Sequence, residues 1–241
     1  MRPVLRGASP QATDYDNYRD AFGELAGKIG MFCSYCERRI VTLLAVEHIQ
    51  AKGLAAYIHL QGRWDNFLLG CCNCNGTKKD TDVVLADFLL PDRDNTAAAY
   101  EYTMDGKITI PAWLTDAQRE MAERTLALVG LDRPVNDVVD SNGKLVAIDR
   151  VAQRMEAWLI AEESKKDLQA NPTDAFRRQI ARTAVGHGFF SIWMTVFAED
   201  IAVRKLLIAA FPGTATDCFD PNTTALVSPR PPNGLPHGSK I

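Results

Sequence analysis

Two pairs of cysteines with the same internal spacing are the feature that most constrains this chain. Cys33 and Cys36 form the first pair, Cys71 and Cys74 form the second, and 34 residues separate them. A Cys-x-x-Cys segment can turn so that both thiolates face one ion, and two such turns complete the tetrahedral four-sulfur geometry of structural zinc. We therefore predict a zinc site that ties together the ends of a loop-rich segment and leaves no open position for catalysis by zinc itself.

Other interpretations of the cysteines stay open at this point. The four thiols could form disulfides or be isolated buried groups. Cys72 could replace Cys71 as a ligand, although the Cys-x-x-Cys spacing favours Cys71 together with Cys74. Cys218 stands alone in the C-terminal region, and we expect it to be an ordinary thiol.

Composition and charge limit the class of protein. Of the 241 residues, 46% are hydrophobic and 24% are charged, as in ordinary globular proteins with a substantial core. A net charge of -3 gives no general attraction to a polyanion, so contact with nucleic acid would need local basic groups or a partner protein. The first residues lack the apolar segment of a secretory signal, and no apolar run is long enough to span a bilayer. We expect a cytoplasmic location, where paired cysteines are more often metal ligands than disulfides.

The first half of the chain predicts a helix, two strands and a second helix. Apolar residues at helical spacing predict an amphipathic helix over 14–29, with Gly30 as its C-cap. The apolar, β-branched run at 43–49 predicts a strand, and 66–71 predicts the strand that returns. The next helix is expected to begin within 73–75.

The second half is predicted to be mostly helical. Residues around 105–106 indicate a β-hairpin. Thr115 and Gln118 have the spacing of a capping box, which predicts a helix that runs to Val129 with Gly130 as its C-cap.

Three more helices are expected beyond that point. The first has a stripe of apolar residues: Ile148, Val151, Ala152, Met155 and Leu159. Residues 171–173 break this helix, the second follows with Phe176, Ile180 and Ala184, and glycines at 186 and 188 interrupt again before a very apolar helix over 189–211. From 212 onward the composition predicts an irregular or disordered tail. We thus predict an α+β protein with regions 1–95, 96–211 and 212–241.

A set of polar residues lies between and beside the cysteine pairs. Glu47 and His48 end the first predicted strand, Asn66 precedes the second, and Asn75 and Lys78 follow the last cysteine. In this order, together with the cysteines, they resemble the HNH endonuclease family, a branch of the ββα-metal nucleases. The resemblance covers 33–79, about a fifth of the chain, and implies a zinc-stapled ββα-metal module in the region 1–95.

The resemblance also implies a mechanism for hydrolysis of phosphodiester bonds in DNA, or in RNA. A neutral imidazole titrates in the range that suits a general base, and the resemblance gives this role to His48. Glu47 and Asn75 would hold Mg²⁺ or Mn²⁺ through oxygen atoms, beside the structural zinc. Asn66 would orient the loop that carries His48. The residues that would contact nucleic acid are Lys52, Lys78 and Lys79.

Some of these residues have a simpler interpretation. Lys78 and Lys79 could belong to a solvated helix face. His59 follows no motif and is expected on the surface, and His187, between two glycines, is expected in a turn. Where the HNH family often has a proline after the acidic-His pair, this chain has Ala51, which changes the stiffness of the loop and removes no reactive group.

A wider resemblance adds a biological context. The segments MRPVLRG, YCERRI, AVEHIQAKG, RWDNFLLGCCNCN and LLPDRDN are similar to the HNH subunits of bacterial anti-phage defence systems of the Septu and retron-associated kinds, up to about residue 133. This resemblance implies an ABC/SMC-like ATPase as partner. The apolar segment 189–211 would suit docking onto that partner, but it fits the interior of a domain better. A non-catalytic zinc module and a stand-alone restriction-like nuclease that recognises modified bases are the competing interpretations.

Overall fold

The structure, a computed structural model, describes residues 1–131, 133 and 150–241. Within these ranges the protein is α+β, with two separate antiparallel sheets of two strands each. The strands are β1 Leu44–His48, β2 Phe67–Cys71, β3 Glu101–Tyr102 and β4 Ile108–Thr109. The helices are α1 Phe22–Ile29, α2 Cys72–Lys78, α3 Thr96–Ala99, α4 Asp116–Val129, α5 Arg150–Ala170, α6 Asp174–His187, α7 Phe190–Val196 and α8 Ile201–Ala210.

The first predicted helix forms, but over a shorter stretch. A 3-10 turn at Tyr18–Ala21 precedes α1, and the side chain of Asn17 caps that turn by accepting a hydrogen bond from the Arg19 backbone. Gly30 ends α1 as predicted, with a φ of 76°. A side chain at this position would collide with the ring of Phe32, which together with the positive φ favours glycine there.

β1, β2 and α2 follow one another as predicted and form one compact unit. β1 pairs with β2 in antiparallel register, with His48 opposite Phe67 and Leu44 opposite Cys71. α2 begins directly after β2, because the Cys71 side chain accepts a hydrogen bond from the Cys74 backbone and caps the helix. The helix ends at Lys78.

The hairpin and the capped helix of the second half are confirmed. β3 pairs with β4 around the turn at 105–106. Thr115 and Gln118 form the reciprocal hydrogen bonds of a capping box at the start of α4. Gly130 ends α4 in the left-handed conformation, as predicted.

α5 exists as predicted, but its stripe of apolar residues is not its buried side. Ile148 lies outside the described residues, and Met155 and Leu159 are exposed to 40% and 59%. The buried side consists of Arg150, Arg154, Ala157, Ala161 and Leu168. The two arginines can be buried because their guanidinium groups donate to backbone carbonyls and to a cysteine sulfur.

The single helix expected over 189–211 is two helices. α7 ends at Val196 and α8 begins at Ile201, capped by the side chain of Asp200. The large apolar residues of this stretch are buried inside the protein: Phe189, Phe190, Trp193, Phe197 and Phe211. The aromatic side chains of this segment therefore belong to the core, the interpretation that the sequence favoured.

The C-terminal segment 212–241 is irregular, and it is packed against the start of the chain. The backbones of Leu5 and Ala215 bond to Gly213 and Pro3 respectively. Arg230 is fully buried and donates to the carbonyl oxygens of Val4 and Pro91. The two ends of the sequence thus stabilise each other.

Most of the buried apolar side chains that the structure describes form one cluster, to which residues of all three predicted regions contribute. The division into regions at 95/96 and 211/212 stays a prediction. Among the helices that the structure describes, none combines the length and the hydrophobicity that a bilayer-spanning segment needs.

Candidate functional site

The four predicted zinc ligands lie together. The sulfur atoms of Cys33, Cys36, Cys71 and Cys74 are all within 4.8 Å of one another, and all four residues are buried. The Sγ atoms of Cys36 and Cys71 are 3.7 Å apart. Zn–S bonds of about 2.3 Å in a tetrahedron place the sulfurs about 3.8 Å apart, so this cluster is compatible with a structural zinc site. Cys72 is exposed and outside the cluster, which resolves the choice in favour of Cys71.

Local backbone geometry brings each pair into a turn, and the sheet brings the turns together. The Cys33 backbone accepts from the amide of Glu37 and donates to the carbonyl of Arg38, which closes the first turn. The second turn is the start of α2. The first turn lies beside β2, because the Ser34 amide donates to the Leu69 carbonyl at 2.8 Å and the Cys71 amide donates to the Cys33 sulfur at 3.4 Å.

A second group of predicted residues lines one small cavity of about 130 Å³. Glu47, His48 and Asn75 contribute to its wall, and Lys52, Lys78 and Lys79 also line it. The structure therefore brings together every residue predicted for the reaction centre except Asn66.

His48 is held by two aromatic contacts and by one hydrogen bond. Its ring makes edge contacts with Tyr18 and Phe67, at centroid distances of 4.7 Å and 5.2 Å. Nε2 lies 2.9 Å from the carbonyl oxygen of Gln61. Because a carbonyl only accepts hydrogen bonds, Nε2 carries the proton in the neutral ring, and Nδ1 has the available lone pair. Burial lowers the pKa of His48, which favours this neutral form.

Glu47 is a buried carboxylate with two partners. Its Oε1 accepts from the hydroxyl of Tyr35 at 3.2 Å and lies 3.1 Å from the ammonium of Lys78. Burial raises the pKa of Glu47, and the positive charge of Lys78 opposes that rise. The carboxylate thus already has a cationic neighbour within the protein.

Gly70 allows Glu47 and Asn75 to lie side by side. It is on β2 opposite Ala45 and diagonal to Glu47, and a Cβ atom at this position would come within 3.0 Å of Glu47 and 3.6 Å of Asn75. The space above Gly70 is therefore filled by these two side chains. A carboxylate and an amide oxygen are the donor types that Mg²⁺ and Mn²⁺ prefer.

Asn66 lies outside the cavity and holds the backbone that follows His48. Its Oδ1 accepts from the amide of Gln50 at 2.8 Å, and its Nδ2 donates to the Gln50 carbonyl at 3.0 Å. A weaker bond of 3.4 Å reaches the carbonyl of Leu60. Such contacts are those expected of an orienting residue, which is the role predicted for Asn66.

The three predicted lysines occupy different environments. Lys78 is 1% exposed and donates to the carbonyl oxygen of His48 as well as pairing with Glu47, so it does not belong to a solvated helix face. Lys79 is exposed, directly after α2, with a φ of 47°. The ammonium of Lys52 lies 3.8 Å from the ring centroid of Tyr18 at the rim of the cavity. Their contact with nucleic acid stays a prediction.

Several residues that shape the site were not predicted from the sequence. Tyr35 and Gly70 position Glu47, the Gln61 carbonyl fixes the ring of His48, and Arg38 and Arg150 contact the cysteine sulfurs. Gln61 contacts His48 through its backbone carbonyl, so the identity of its side chain could not have indicated this role. Gly70 could have been found, because a glycine inside an apolar strand often marks a close approach.

Two other histidines with predicted positions do not line the cavity. His59 is exposed on a 3-10 turn between the strands, as expected, and His187 is the last residue of α6 and is exposed rather than in a separate turn.

In comparisons with known proteins, no family model matches this sequence and no curated protein shows significant similarity to it.

Proposed function

We propose that this chain is a metal-dependent HNH-type endonuclease that hydrolyses phosphodiester bonds in DNA, or in RNA, and that its four clustered cysteines hold structural zinc. One observation carries the proposal: a histidine, a carboxylate and an amide, His48, Glu47 and Asn75, line one cavity. Hydrolysis of a phosphodiester needs a proton acceptor for water and positive charge near the phosphate. The three residues supply the acceptor and the oxygen ligands for a cation.

His48 would act as the general base. The Nε2 proton is engaged by the Gln61 carbonyl, so Nδ1 is the nitrogen that can take a proton from water. Since burial lowers the pKa of His48, the imidazole is in its basic form at neutral pH. Asn66 would maintain this arrangement by holding the backbone of Gln50, two residues further along.

Glu47 and Asn75 would hold Mg²⁺ or Mn²⁺, which when bound supplies positive charge to the phosphate. The oxygen donors of these two side chains, which line one cavity, fit such an ion. However, Glu47 is already paired with Lys78 at 3.1 Å. We therefore expect the free protein to bind the ion weakly and to bind it more tightly once a phosphate contributes further oxygen ligands.

The zinc ion would have a folding role. A four-thiolate site is closed to substrate, and the free energy of zinc binding would stabilise the turn that precedes β1 and the turn that joins β2 to α2. The reaction centre would thus depend on zinc through its scaffold and not through its chemistry.

The proposal includes a partner. Lys52 and Lys79 are the basic groups at the rim of the cavity, but the acidic Asp80 lies in the same wall, and the net charge of the chain is -3. Such a site offers little unaided attraction to nucleic acid. This supports an ABC/SMC-like ATPase partner in anti-phage defence, which would bring the substrate, and copurification with an ATPase encoded nearby would test it. A stand-alone nuclease for modified bases would instead cut without that protein.

His48→Ala tests the chemistry. We expect it to reduce the cleavage of plasmid DNA, single-stranded DNA or RNA in Mg²⁺ or Mn²⁺ by about 10²- to 10⁴-fold, the usual contribution of a general base. His59→Ala is the matched control, because His59 is an exposed histidine on the loop between the same strands, and it should keep full activity. Equal cleavage by His48→Ala and the wild type would contradict the proposal.

A non-catalytic zinc module that binds nucleic acid or protein is the second candidate. The buried Glu47–Lys78 ion pair favours it, because a carboxylate neutralised by the protein has less need of a metal ion. Titration with Mn²⁺ separates the two candidates. The nuclease proposal predicts Mn²⁺ binding that Glu47→Gln together with Asn75→Ala abolishes, whereas the second candidate predicts no such site.

A further inference from the structure

Two arginine side chains contact the sulfur cluster from opposite parts of the sequence. We propose that Arg38 and Arg150 neutralise the charge of the zinc–thiolate centre, and that Arg150 thereby links zinc binding to the docking of α5. The inference rests on the structural zinc ion proposed above, and it does not depend on nuclease activity.

Arg38 contacts two of the four sulfurs. Its Nε lies 3.4 Å from Sγ of Cys36, and its Nη2 lies 3.3 Å from Sγ of Cys71. The same Nη2 donates to Oδ1 of Asn73 at 2.6 Å, and Nη1 donates to Oε1 of Gln153 on α5 at 3.3 Å. The guanidinium therefore bridges both cysteine pairs and reaches the helical half of the protein.

Arg150 approaches the cluster from α5. It is 4% exposed, and its Nη1 lies 3.7 Å from Sγ of Cys74 and 3.1 Å from the carbonyl oxygen of Val129. Its Nη2 donates to the carbonyl of Gly130. The guanidinium thus lies between a cysteine sulfur and the negative end of the α4 dipole, two groups that both favour a positive charge.

Charge balance gives the contacts a reason. Four thiolates exceed the charge of Zn²⁺ by two negative charges, and burying a net charge costs free energy unless it is paired. Two guanidinium groups supply the missing positive charge. In the described part of the chain, neither Arg38 nor Arg150 forms an ion pair with a carboxylate, so zinc-bound thiolates would be their anionic partners there.

The linkage follows from the position of Arg150. Arg150 is on α5 and contacts Cys74, so the zinc ion that would fix the Cys74 sulfur would also fix the partner of this guanidinium. Zinc binding should therefore stabilise the packing of α5, and by reciprocity loss of the Arg150 contact should weaken zinc binding. The zinc centre would then hold together the β1–β2–α2 unit and the helical half.

Zinc affinity, measured by competition with a chelator, tests the first step. We expect Arg150→Met and Arg38→Gln each to weaken zinc binding by about 10- to 100-fold, as for other residues that support metal ligands. Arg154→Met is the matched control. Arg154 is also buried, one turn further along α5, and it donates to the carbonyls of Gly106 and Leu131, so its replacement should leave zinc affinity unchanged.

Cobalt spectra and hydrogen exchange complete the test. The thiolate-to-cobalt bands of Co²⁺-loaded protein should be the same in all variants, because the four ligands remain. Removal of zinc should speed amide exchange in α5 of the wild type, and the difference should shrink in Arg150→Met. If Arg150→Met does not fold, Arg150→Lys should show the same loss of zinc affinity, since a lysine cannot reach both Cys74 and the α4 carbonyls. Arg154→Lys is then the control, and it should bind zinc as tightly as the wild type.

Unchanged zinc affinity in Arg150→Met, or in Arg150→Lys where the methionine variant does not fold, would overturn the inference. So would an α5 whose exchange is insensitive to zinc. A wild-type protein without thiolate-to-cobalt bands would instead show that the zinc assignment is wrong, whatever the nuclease assays give.

Discussion

Lys78 is a buried cation within the candidate reaction centre. It contacts the Glu47 carboxylate at 3.1 Å and the His48 carbonyl at 2.8 Å, and it is 1% exposed. Its charge therefore acts on two neighbouring residues of β1. Removing one member of a buried ion pair generally destabilises a protein by more than the intact pair stabilises it, because the other charge is left without compensation.

Replacement of Lys78 should destabilise the protein. We expect Lys78→Met to lower the free energy of unfolding by about 3 kcal/mol, since Glu47 would lose its counter-charge in a buried site. Urea unfolding of the zinc-loaded protein measures this. The double variant Glu47→Gln with Lys78→Met should lose less than the two single variants combined. If Lys78 instead served as a solvated phosphate contact, its replacement would leave stability unchanged.

At the scale of elements, β1, β2 and α2 form the unit that presents the candidate site. The two strands place Glu47 and His48 at their shared end, and α2 follows β2 without a loop, so Asn75 returns over the sheet. Gly70 is what makes room for this arrangement, because a side chain on β2 at that point would occupy the space of Glu47.

Gly70→Ala should therefore impair the site more than the fold. The added Cβ would approach Glu47 to 3.0 Å, and the carboxylate would have to shift. We expect reduced Mn²⁺ binding and reduced cleavage, with a melting temperature close to that of the wild type. Gly76→Ala on α2 is the control, because an added Cβ there meets nothing within 4 Å and alanine favours helix. Equal Mn²⁺ binding by both variants would show that Glu47 can move at no cost to the site.

At the scale of the whole molecule, buried arginines connect distant parts of the sequence. Arg6 donates to Asp92 at 2.7 Å and also to the carbonyls of Asp65 and Phe67, and Arg93 pairs with the same carboxylate. Burial works against ionisation of Asp92, but the two guanidiniums prevail and hold its pKa below the usual value. The network joins the N-terminal segment to the start of β2.

Because the pKa of Asp92 is lowered, its ionised form stabilises the fold above the usual carboxyl pKa of about 4, and this contribution disappears as the pH falls through the lowered value. Asp92→Asn should reduce the free energy of unfolding at pH 7, and the difference from the wild type should narrow below about pH 4. Asp105→Asn, in an exposed pair with Lys107, should change little. A difference for Asp92→Asn that is constant with pH would contradict this account of the network.

The features that the sequence by itself determined are mostly local. The capping box at Thr115, the glycine C-caps at 30 and 130 and the Cys-x-x-Cys spacing each depend on residues within a few positions of one another, and each takes the predicted form. Such features follow from backbone geometry and short-range hydrogen bonds, which a linear sequence displays directly.

Only the tertiary structure decided which charges are buried and what they face. From the sequence, Lys78 was a candidate surface residue and Arg150 had no predicted role. Both lie in the interior, because Lys78 pairs with Glu47 and Arg150 contacts the sulfur of Cys74, residues that are distant from them in the sequence. The tertiary structure also exposes Leu159 on the apolar face of α5 and divides the stretch 189–211 into two helices. A buried charge is stable only beside a partner, and in a folded chain that partner is set by contacts in space that periodicity along the sequence does not encode.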